Sequence, residues 1–414
     1  MSTMRVALAT VGTTGDVVPF AALAAALRAG GHQVTTVSWE LHRPTLEPVA
    51  DRFVAAGPGT TWEDVADTAR RAAAARSPLD QVAVLRDFHL RDAPSHHAQL
   101  VSALAGHDLV VLHGIHALAE AAAADVGAPW ATAVFDPVLL PTRTAPPPGM
   151  PGLGPLNRVT WWMLDRLLRR GDPPLHEALA AAGSKHGSAV TMFRSRSRRL
   201  HLVACSPTIA PPPADLAPHV RFTGAWISPG PPGPLDPDLE AFLSAGDPPV
   251  VVTFGSMVPD DAVRLSDAVH EAIAASGVRA VVQMGLAGPA RSDDPVRVRS
   301  IGVADHRALL PRALAVVHHG GAGTSHAAVA AGIPSVVVPH VGDQRYWAER
   351  LFRLGVGARP LPLASVTAAA LAERLTGVLT DAALRARART CGETVRAEDG
   401  VGLGVQLLEA AVAD

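Results

Sequence analysis

A glycine-rich turn between an apolar run and an alanine-rich segment carries the most distinctive chemistry in this chain. It reads His318-His319-Gly320-Gly321-Ala322-Gly323-Thr324-Ser325. The run before it, 313–317, is typical of a buried parallel strand, and 327–331 after it is typical of a helix. Glycines let a backbone approach a phosphate closely, and a helix N-terminus offers N–H groups without partners. Together with the adjacent imidazole and hydroxyl groups, this arrangement predicts a phosphate site rather than a simple turn.

A carboxylate follows the first predicted strand, 5–10. The segment Gly12-Thr13-Thr14-Gly15-Asp16-Val17-Val18-Pro19 forms a tight turn before a helix predicted over 19–29. Asp16 either caps that helix, since Asp is a favoured cap and Pro is favoured in a first turn, or directs its carboxylate to the edge of the sheet. The two interpretations are compatible, and the local pattern does not choose between them.

Polar side chains also follow two strands in the second half of the chain. Ser256 follows the strand 250–254, where its hydroxyl either contacts a phosphate or belongs to an ordinary turn. Asp343 and Gln344 follow the strand 335–339. A carboxylate beside an amide suits a polyol, because both groups bridge hydroxyls, and helix capping is the alternative.

The elements that must position these residues form two α/β halves. Each half alternates apolar strands with helical patterns, and a region rich in Pro and Gly separates the two. Two doubly wound, Rossmann-like domains are therefore expected, facing each other across a cleft at the carboxyl ends of their parallel strands. The predicted boundaries are 1–223 for the first domain, 224–238 for the linker, 239–395 for the second domain, and 396–414 for a C-terminal helix that packs back on the first domain.

Composition narrows the class of protein. The chain has 414 residues, of which 48% are hydrophobic, enough for two cores. A formal net charge of -2 gives no reason to expect nucleic acid or an anionic membrane as a partner. Cys205 and Cys391 are too few for a disulfide framework or a cysteine metal cluster. Neither a signal peptide nor an apolar run of membrane-spanning length is found, so we expect a soluble, cytoplasmic protein without stable membrane insertion.

Several of these segments together resemble the nucleotide-sugar-dependent glycosyltransferases of the two-Rossmann (GT-B) type, family 1, in the branch of antibiotic and sterol glycosyltransferases. The resemblance covers nearly the whole chain, and its motifs occur in the family's order. They are the first loop at 12–19, the start of the linker at 223–226, the strand 252–257, the nucleoside segment 306–312, the diphosphate loop 318–324 and the sugar segment 342–349. Thr14 and Arg345 depart from it, standing where the family commonly has Arg and Pro.

The resemblance implies an inverting, metal-independent transfer of a hexose from a UDP- or dTDP-sugar to a hydroxyl of an apolar natural product. By that likeness Asp16 is the general base, and His319 binds the diphosphate. The other donor residues that it implies are Ser256, Gly321, Ala322, Gly323 and Thr324 for phosphate, Val303 and Ala304 for the nucleoside, and Asp343 and Gln344 for the sugar. The nucleotide sugar is a co-substrate, so no cofactor is expected, and the helix N-terminus with His319 takes the place of Mg²⁺. The Asp-x-Asp triplet 236–238 is expected to form a turn and helix cap instead of a metal site.

The acceptor side is less defined by the sequence. Loops predicted at 62–90 and 135–162 are expected to shape an apolar pocket, with His113, Phe135, Leu139 and Trp161 as candidate acceptor-binding residues, and core packing as the alternative for the last three. His113 and His116 follow a strand end, where either is a second base or a structural histidine. The basic run 194–199 is either a solvated surface or a contact for an anionic acceptor.

Two other functions remain open from the sequence. A nucleotide-sugar 2-epimerase shares this architecture, but it needs additional acid and base carboxylates facing the sugar, and the apolar loops argue against it. A non-catalytic partner protein with the same fold is expected to have lost the phosphate or base residues, whereas this chain keeps Asp16, His319, Thr324, Asp343 and Gln344. Monomer and homodimer are both compatible with the sequence.

Overall fold

The computed structural model describes residues 3–75, 78–147, 150–170, 172–192, 196–228, 230–255, 262–283 and 296–413. The chain divides into two compact units. Unit 1 comprises Met1–Thr68, Ser77–Pro229 and Asp399–Asp414, and unit 2 comprises Ala69–Arg76 and Gly230–Glu398. Each unit contains its own parallel sheet covered by helices, as expected for apolar strands that alternate with helical segments.

The sheet of unit 1 has seven strands in the order β3-β2-β1-β4-β5-β6-β7. The strands are β1 (Arg5–Ala9), β2 (Gln33–Ser38), β3 (Arg52–Ala55), β4 (Leu109–His113), β5 (Trp130–Val134), β6 (His201–Val203) and β7 (Val220–Phe222). All neighbouring pairs are parallel. In the register, Ala9 pairs with Leu112 and His113 pairs with Ala133. The carboxyl ends of β1, β4 and β5 therefore lie side by side at one edge of the sheet.

The helices that cover this sheet include several that the sequence did not predict. They are α1 (Thr14–Ala29), α2 (Arg43–Leu46), α3 (Trp62–Ala73), α4 (Pro78–His89), α5 (Ala93–Leu104), α6 (Ala117–Asp125), α7 (Asn157–Arg170) and α8 (Pro173–Ala181). Short 3-10 turns are found at Glu40–His42, Glu47–Val49, Gly154–Leu156 and Gly187–Ala189.

Three of the predicted segments differ from the structure. The helix predicted over 19–29 begins instead at Thr14, because Asp16 is its third residue and accepts hydrogen bonds from Thr13, which starts the helix before Pro19. The loop predicted over 62–90 consists largely of α3 and α4, and α7 begins inside the second predicted loop. In α3, Val65 is buried in a cluster that includes Val11, so the segment packs through one face as an amphipathic helix does.

The sheet of unit 2 has five strands in the order β10-β9-β8-β11-β12, again all parallel. The strands are β8 (Val250–Thr253), β9 (Ala280–Gln283), β10 (Val298–Ser300), β11 (Ala315–His318) and β12 (Ser335–Val337). The helices are α9 (Pro237–Ser244), α10 (Ala262–Ser276), α11 (His306–Leu309), α12 (Ala322–Ala331), α13 (Gln344–Leu354), α14 (Ala368–Thr380) and α15 (Ala382–Arg396), with 3-10 turns at Leu310–Arg312 and Leu363–Ser365. The cap predicted for the triplet 236–238 is confirmed, because the Asp236 carboxylate accepts from the N–H groups of Asp238 and Leu239 at the start of α9.

The last helix, α16 (Gly400–Ala413), belongs to unit 1. Its Glu409 carboxylate lies 3.0 Å from Nε2 of His32, a buried residue just before β2. Gly400 packs so closely on the backbone of Gly224 that a Cβ there would overlap it. Among the described residues, no helix is long and apolar enough to cross a membrane.

Candidate active site

In unit 2, the predicted phosphate loop lies between β11 and α12. The strand ends at His318, and the helix begins at Ala322 with Gly321 as its N-cap. The first hydrogen bond of the helix runs from the Ser325 N–H to the Gly321 carbonyl, at 2.9 Å. The three N–H groups of residues 322–324 therefore have no acceptor within the helix. With the positive end of the helix dipole, they form a place where an anion is stabilised.

Two glycines of this loop are required by close contacts. Gly320 has a φ of +92°, and a Cβ there would lie 2.8 Å from the Gln344 carbonyl oxygen and 2.8 Å from Val337. A Cβ at Gly321 would lie 2.5 Å from Nε2 of His319. The first contact brings the phosphate loop against the turn that holds Asp343 and Gln344, so two segments far apart in sequence meet at one edge of the sheet of unit 2.

The side chains of that turn already have protein partners. The Gln344 side-chain oxygen accepts from the N–H groups of His340 and Val341, at 2.7 and 3.0 Å. One Asp343 oxygen accepts from the indole N–H of Trp347, at 2.9 Å. Helix capping, the alternative that the sequence left open, is not what these side chains do: Asp343 occupies the N-cap position of α13 without a capping hydrogen bond. These partners fix the orientation of both side chains.

Several histidines gather at this edge of unit 2 in their neutral form. Burial lowers the pKa of His318 to about 3; burial, followed by the neighbouring His340, lowers that of His319 to about 3. Burial alone lowers the pKa of His340 to about 4. The His340 ring stacks on Phe254 at 5.5 Å and lies 6.5 Å from the His319 ring, and both of its nitrogens are buried without a partner in the described structure. His340 was not among the predicted site residues, because its position at a strand end was the only signal for it in the sequence.

The other donor candidates differ in what the structure shows. Ser256 lies outside the described residues. Val303 is 98% exposed in the loop between β10 and α11. Ala304 packs against the apolar cluster that contains Leu309. Neither observation tests the predicted backbone contacts with a nucleoside, which stay a prediction.

In unit 1, Asp16 lies at the carboxyl end of β1 with its two oxygens in different roles. Its Oδ2 accepts from the Thr13 N–H at 2.7 Å and from the Thr13 hydroxyl at 3.0 Å. Gly12 has a φ of +120°, and any side chain there would overlap the carboxylate. Oδ1 makes no hydrogen bond within the described part of unit 1, and it lies 3.8 Å from Nε2 of His113. Both sequence interpretations of Asp16 are thus compatible with the geometry: one oxygen caps the helix, and the other is open.

His113 at the end of β4 faces Asp16 as a neutral imidazole. Its Nδ1 lies 3.4 Å from the Val11 carbonyl oxygen, so this nitrogen carries the proton and Nε2 presents a lone pair. Burial lowers the pKa of His113, which outweighs the opposing effect of the Asp16 charge. The ring packs against Phe135 at 5.0 Å and Phe20 at 5.8 Å. Two acceptor atoms, Oδ1 and Nε2, therefore face one another, and a hydroxyl that enters here donates its single hydrogen to one of them.

A third polar group at this edge was missed by the sequence analysis. Asp136 follows β5 after Phe135, and its Oδ1 accepts from the Val138 N–H at 2.8 Å. Burial, with a smaller contribution from the Asp16 charge, raises the pKa of Asp136 to about 6 against the lowering effect of the Val138 hydrogen bond. Its position directly after a strand, next to the candidate Phe135, was the only signal in the sequence.

The remaining acceptor candidates are mainly packing residues. Phe135 is buried, and Trp161 is buried with its indole N–H donating to the Ala145 carbonyl at 2.8 Å. Leu139 is 37% exposed. His116 is buried beside the His96 ring at 5.4 Å, and burial holds its pKa well below the usual range, so the structural interpretation fits it.

One pocket of unit 1 is lined by residues from two predicted segments, the acceptor loop 135–162 and the basic run 194–199. It has a volume of about 240 Å³ and is lined by Pro141, Arg158, Trp161, Trp162, Asp165 and Arg196. Arg196 belongs to the basic run and forms an ion pair with Asp165 at 3.2 Å. Arg199 donates to the Ala411 carbonyl of α16, and Arg194 lies outside the described residues. At least part of the basic run is therefore structural. Within the described residues, no group of three or more His, Cys, Asp or Glu side chains is arranged to hold a metal ion.

Comparison with known proteins identifies the family. Residues 257–400 match the family described as Erythromycin biosynthesis protein CIII-like, C-terminal domain. Over 98% of its length, the chain is 36% identical to the O-mycaminosyltylonolide 6-deoxyallosyltransferase of Streptomyces fradiae, 97% of which is covered. The chain belongs to glycosyltransferase family 1. Another member of this family, the vancomycin aglycone glucosyltransferase of Amycolatopsis orientalis, is 33% identical over 99% of this chain and 98% of its own.

Solved structures agree on the fold of this glycosyltransferase. The crystal structure of the kitacinnamycin glycosyltransferase covers 99% of the chain, with all of its own chain matched, at a TM-score of 0.74 and 21% sequence identity. The two parallel-sheet α/β units are thus those of a GT-B glycosyltransferase. The family and fold predicted from the motifs are confirmed.

Proposed function

We propose that this glycosyltransferase transfers a hexose from a UDP- or dTDP-sugar to a hydroxyl group of an apolar small molecule, with inversion at the anomeric carbon. The observation that carries the proposal is the open Oδ1 of Asp16 beside the neutral His113, at 3.8 Å. A hydroxyl that enters this gap donates its hydrogen to Oδ1. The two named relatives act on a tylonolide and on the vancomycin aglycone, which are natural products, and this supports an acceptor of the same kind.

Asp16 is the general base in this proposal. The acceptor oxygen attacks the anomeric carbon while the bond to the diphosphate breaks, and the acceptor proton passes to Oδ1 of Asp16. The electron pair of the broken bond leaves with the diphosphate. Because this is one displacement from the opposite side, the anomeric configuration inverts. General base catalysis by a positioned side chain contributes about 10² to 10⁴ in rate.

The donor diphosphate is assigned to the loop between β11 and α12. Its support is the set of three helix N–H groups at 322–324, together with the imidazole of His319 and the hydroxyl of Thr324. Asp343 and Gln344 are assigned to the sugar hydroxyls, and the backbone at Val303 and Ala304 to the nucleoside. The fixed N–H dipoles stabilise the charge that develops on the leaving diphosphate, which is the role that a metal ion has in other transferases.

Titration calorimetry with UDP-glucose and dTDP-glucose in metal-free buffer tests the donor assignment, and Asp16→Ala serves as the matched variant. Both proteins are expected to bind at least one donor with the same Kd, because Asp16 belongs to unit 1 and the donor residues belong to unit 2. Diphosphate release is expected to fall about 10² to 10⁴ fold in the variant. Failure of the wild type to bind either donor contradicts the phosphate-loop assignment, and an active Asp16→Ala contradicts the base.

A further inference from the structure

Three polar side chains, Asp16, His113 and Asp136, lie where β1, β4 and β5 end. The proposed function involves only Asp16 and His113. The strands are neighbours in the sheet, and His113 pairs with Ala133 in the register, so the segment that follows β5 begins beside His113. Phe135 confirms this placement, because its ring lies 5.0 Å from the His113 ring. Asp136 comes next in the chain. The third group is thus a carboxyl at the same edge as Asp16.

Asp136 is held in place on one side only. Its Oδ1 accepts from the Val138 N–H at 2.8 Å, which fixes the direction of the carboxyl group. Its Oδ2 has no hydrogen-bond partner, and no cation pairs with the group, in the part of the chain that the structure describes. Asp16 likewise faces no cationic side chain there, since His113 is neutral. Two carboxyl groups therefore share one apolar edge without a counter-ion.

We propose that Asp136 is a positioning residue for the transfer reaction, whose negative charge at the neighbouring strand end drives the acceptor proton onto Asp16. The inference rests on the proposed function, in which Asp16 is the base. Like charges in one site favour the state in which one of the two has taken a proton. As the acceptor hydroxyl gives its proton to Oδ1, Asp16 becomes neutral and the repulsion from Asp136 ends. Asp136 stays ionised throughout, so atoms and charge balance in the step described above.

The other titratable groups around Asp16 and Asp136 are histidines, and burial lowers their pKa values. His42, whose Nε2 lies 3.2 Å from the Gly12 carbonyl oxygen, has a pKa lowered by burial to about 4. Burial lowers the pKa of His89 to about 3 and holds those of His113 and His116 below the usual value. All four imidazoles are uncharged well above pH 6. Burial raises the pKa of Asp136 to about 6, so the charge of Asp136 changes between pH 5 and pH 8.

The experiment compares wild type with Asp136→Asn from pH 5 to pH 8. It measures nucleoside diphosphate released from UDP-glucose and dTDP-glucose, first with water as the acceptor and then with testosterone, an apolar alcohol that does not ionise in this range. Asn keeps the shape of the side chain and the Val138 hydrogen bond. We expect the variant to match wild type at pH 5, where Asp136 is protonated, and to be about tenfold slower at pH 8, the effect of one pKa unit of coupling. The loss is expected in kcat, with KM for the donor unchanged.

Asp16→Asn and a calorimetric donor titration separate the possible failures. A wild type that releases no diphosphate from either donor contradicts the proposed function. An Asp16→Asn variant as active as wild type contradicts the base assignment and the inference together. An active wild type whose ratio to Asp136→Asn is the same at every pH overturns the inference alone, because a merely structural role lowers activity at pH 5 and pH 8 alike.

Discussion

Replacing Gly321 by Ala should weaken donor binding through one defined contact. Gly321 has an ordinary φ of -62°, so the backbone tolerates Ala, but the new Cβ would lie 2.5 Å from Nε2 of His319. Ordinary contact begins at 3.4 Å, and the imidazole must therefore move by about 0.9 Å. The His319 ring lies 6.5 Å from the His340 ring, and moving it off a preferred rotamer costs about 0.5 to 1.5 kcal/mol. A charge-assisted hydrogen bond to the diphosphate is worth about 1.5 to 3 kcal/mol.

Loss of that hydrogen bond corresponds to a Kd for UDP-glucose or dTDP-glucose about 10 to 100 fold higher. The matched control is Gly377→Ala in α14, outside the donor residues, since a Cβ there meets no other segment within 4 Å. In calorimetry, the control is expected to stay within about threefold of wild type, while its Tm stays equal or rises slightly because Ala is the better helix former. Equal affinities of Gly321→Ala and wild type would refute the assignment of His319 to the diphosphate, provided that the variant is folded. A matching loss in Gly377→Ala would show that the effect does not come from the contact with His319.

Two further predictions concern stability. Eight histidines have pKa values lowered by burial to about 3 or 4, below the value of about 6.5 in an unfolded chain, so the unfolded chain binds more protons below pH 6.5. The contribution of these histidines to the free energy of unfolding is therefore complete above pH 6.5 and is lost as the pH falls from 6.5 toward 4. The loss is up to about 1.4 kcal/mol per pH unit for each histidine in the unit that unfolds. Equal midpoints of urea titrations at pH 5, 6 and 7 would contradict this. Glu409→Ala removes the carboxylate partner of the buried His32 and is expected to lower the free energy of unfolding by about 1 to 3 kcal/mol. The control Glu349→Ala breaks an exposed ion pair with Arg353 and should lower it by less than about 0.5 kcal/mol. Equal urea midpoints of the two variants would show that the pair between His32 and α16 contributes nothing.

The strand, glycine turn and helix start around residues 318–322 were predictable because their signals are local. One short segment contains the end of a strand, the glycines, the imidazole and the start of a helix, and the alternation of strands and helices places it at the edge of a sheet. The same holds for Asp16, where Gly12 and Thr13 are adjacent in sequence. The GT-B fold followed from motifs in the family's order, and the comparisons confirm it.

The contacts between distant segments were not predictable in this way. The approach of His113 to Asp16 depends on β4 lying next to β1, and that of Asp136 depends on β5 lying next to β4. Strand order is a property of the whole sheet, and no spacing within one segment encodes it. The close contact of Gly320 with Gln344 is of the same kind.

Errors in the secondary structure have a similar origin. The helix α3 was treated as a loop because its charged residues hide the few apolar positions, Val65 and Ala66, that are buried once neighbouring segments cover them. The start of α1 was misplaced because Pro19 is a strong signal for a first helical turn, whereas the hydrogen bonds between Thr13 and Asp16 depend on side-chain geometry. Roles for Asp343 and Gln344 as ligands of a sugar stay predictions.

The return of α16 to unit 1 has a consequence for how the chain is made. Unit 1 closes with residues 399–414, which leave the ribosome only after all of 230–398 has been synthesised. At about 5 to 20 residues per second, that delay is roughly 10 to 30 seconds. During this interval the surface around Trp226 and His32, which α16 later covers, is open to solvent. Unit 2 is one nearly continuous stretch of chain that is synthesised in this interval, so unit 1 is completed by a helix that follows unit 2 in the sequence.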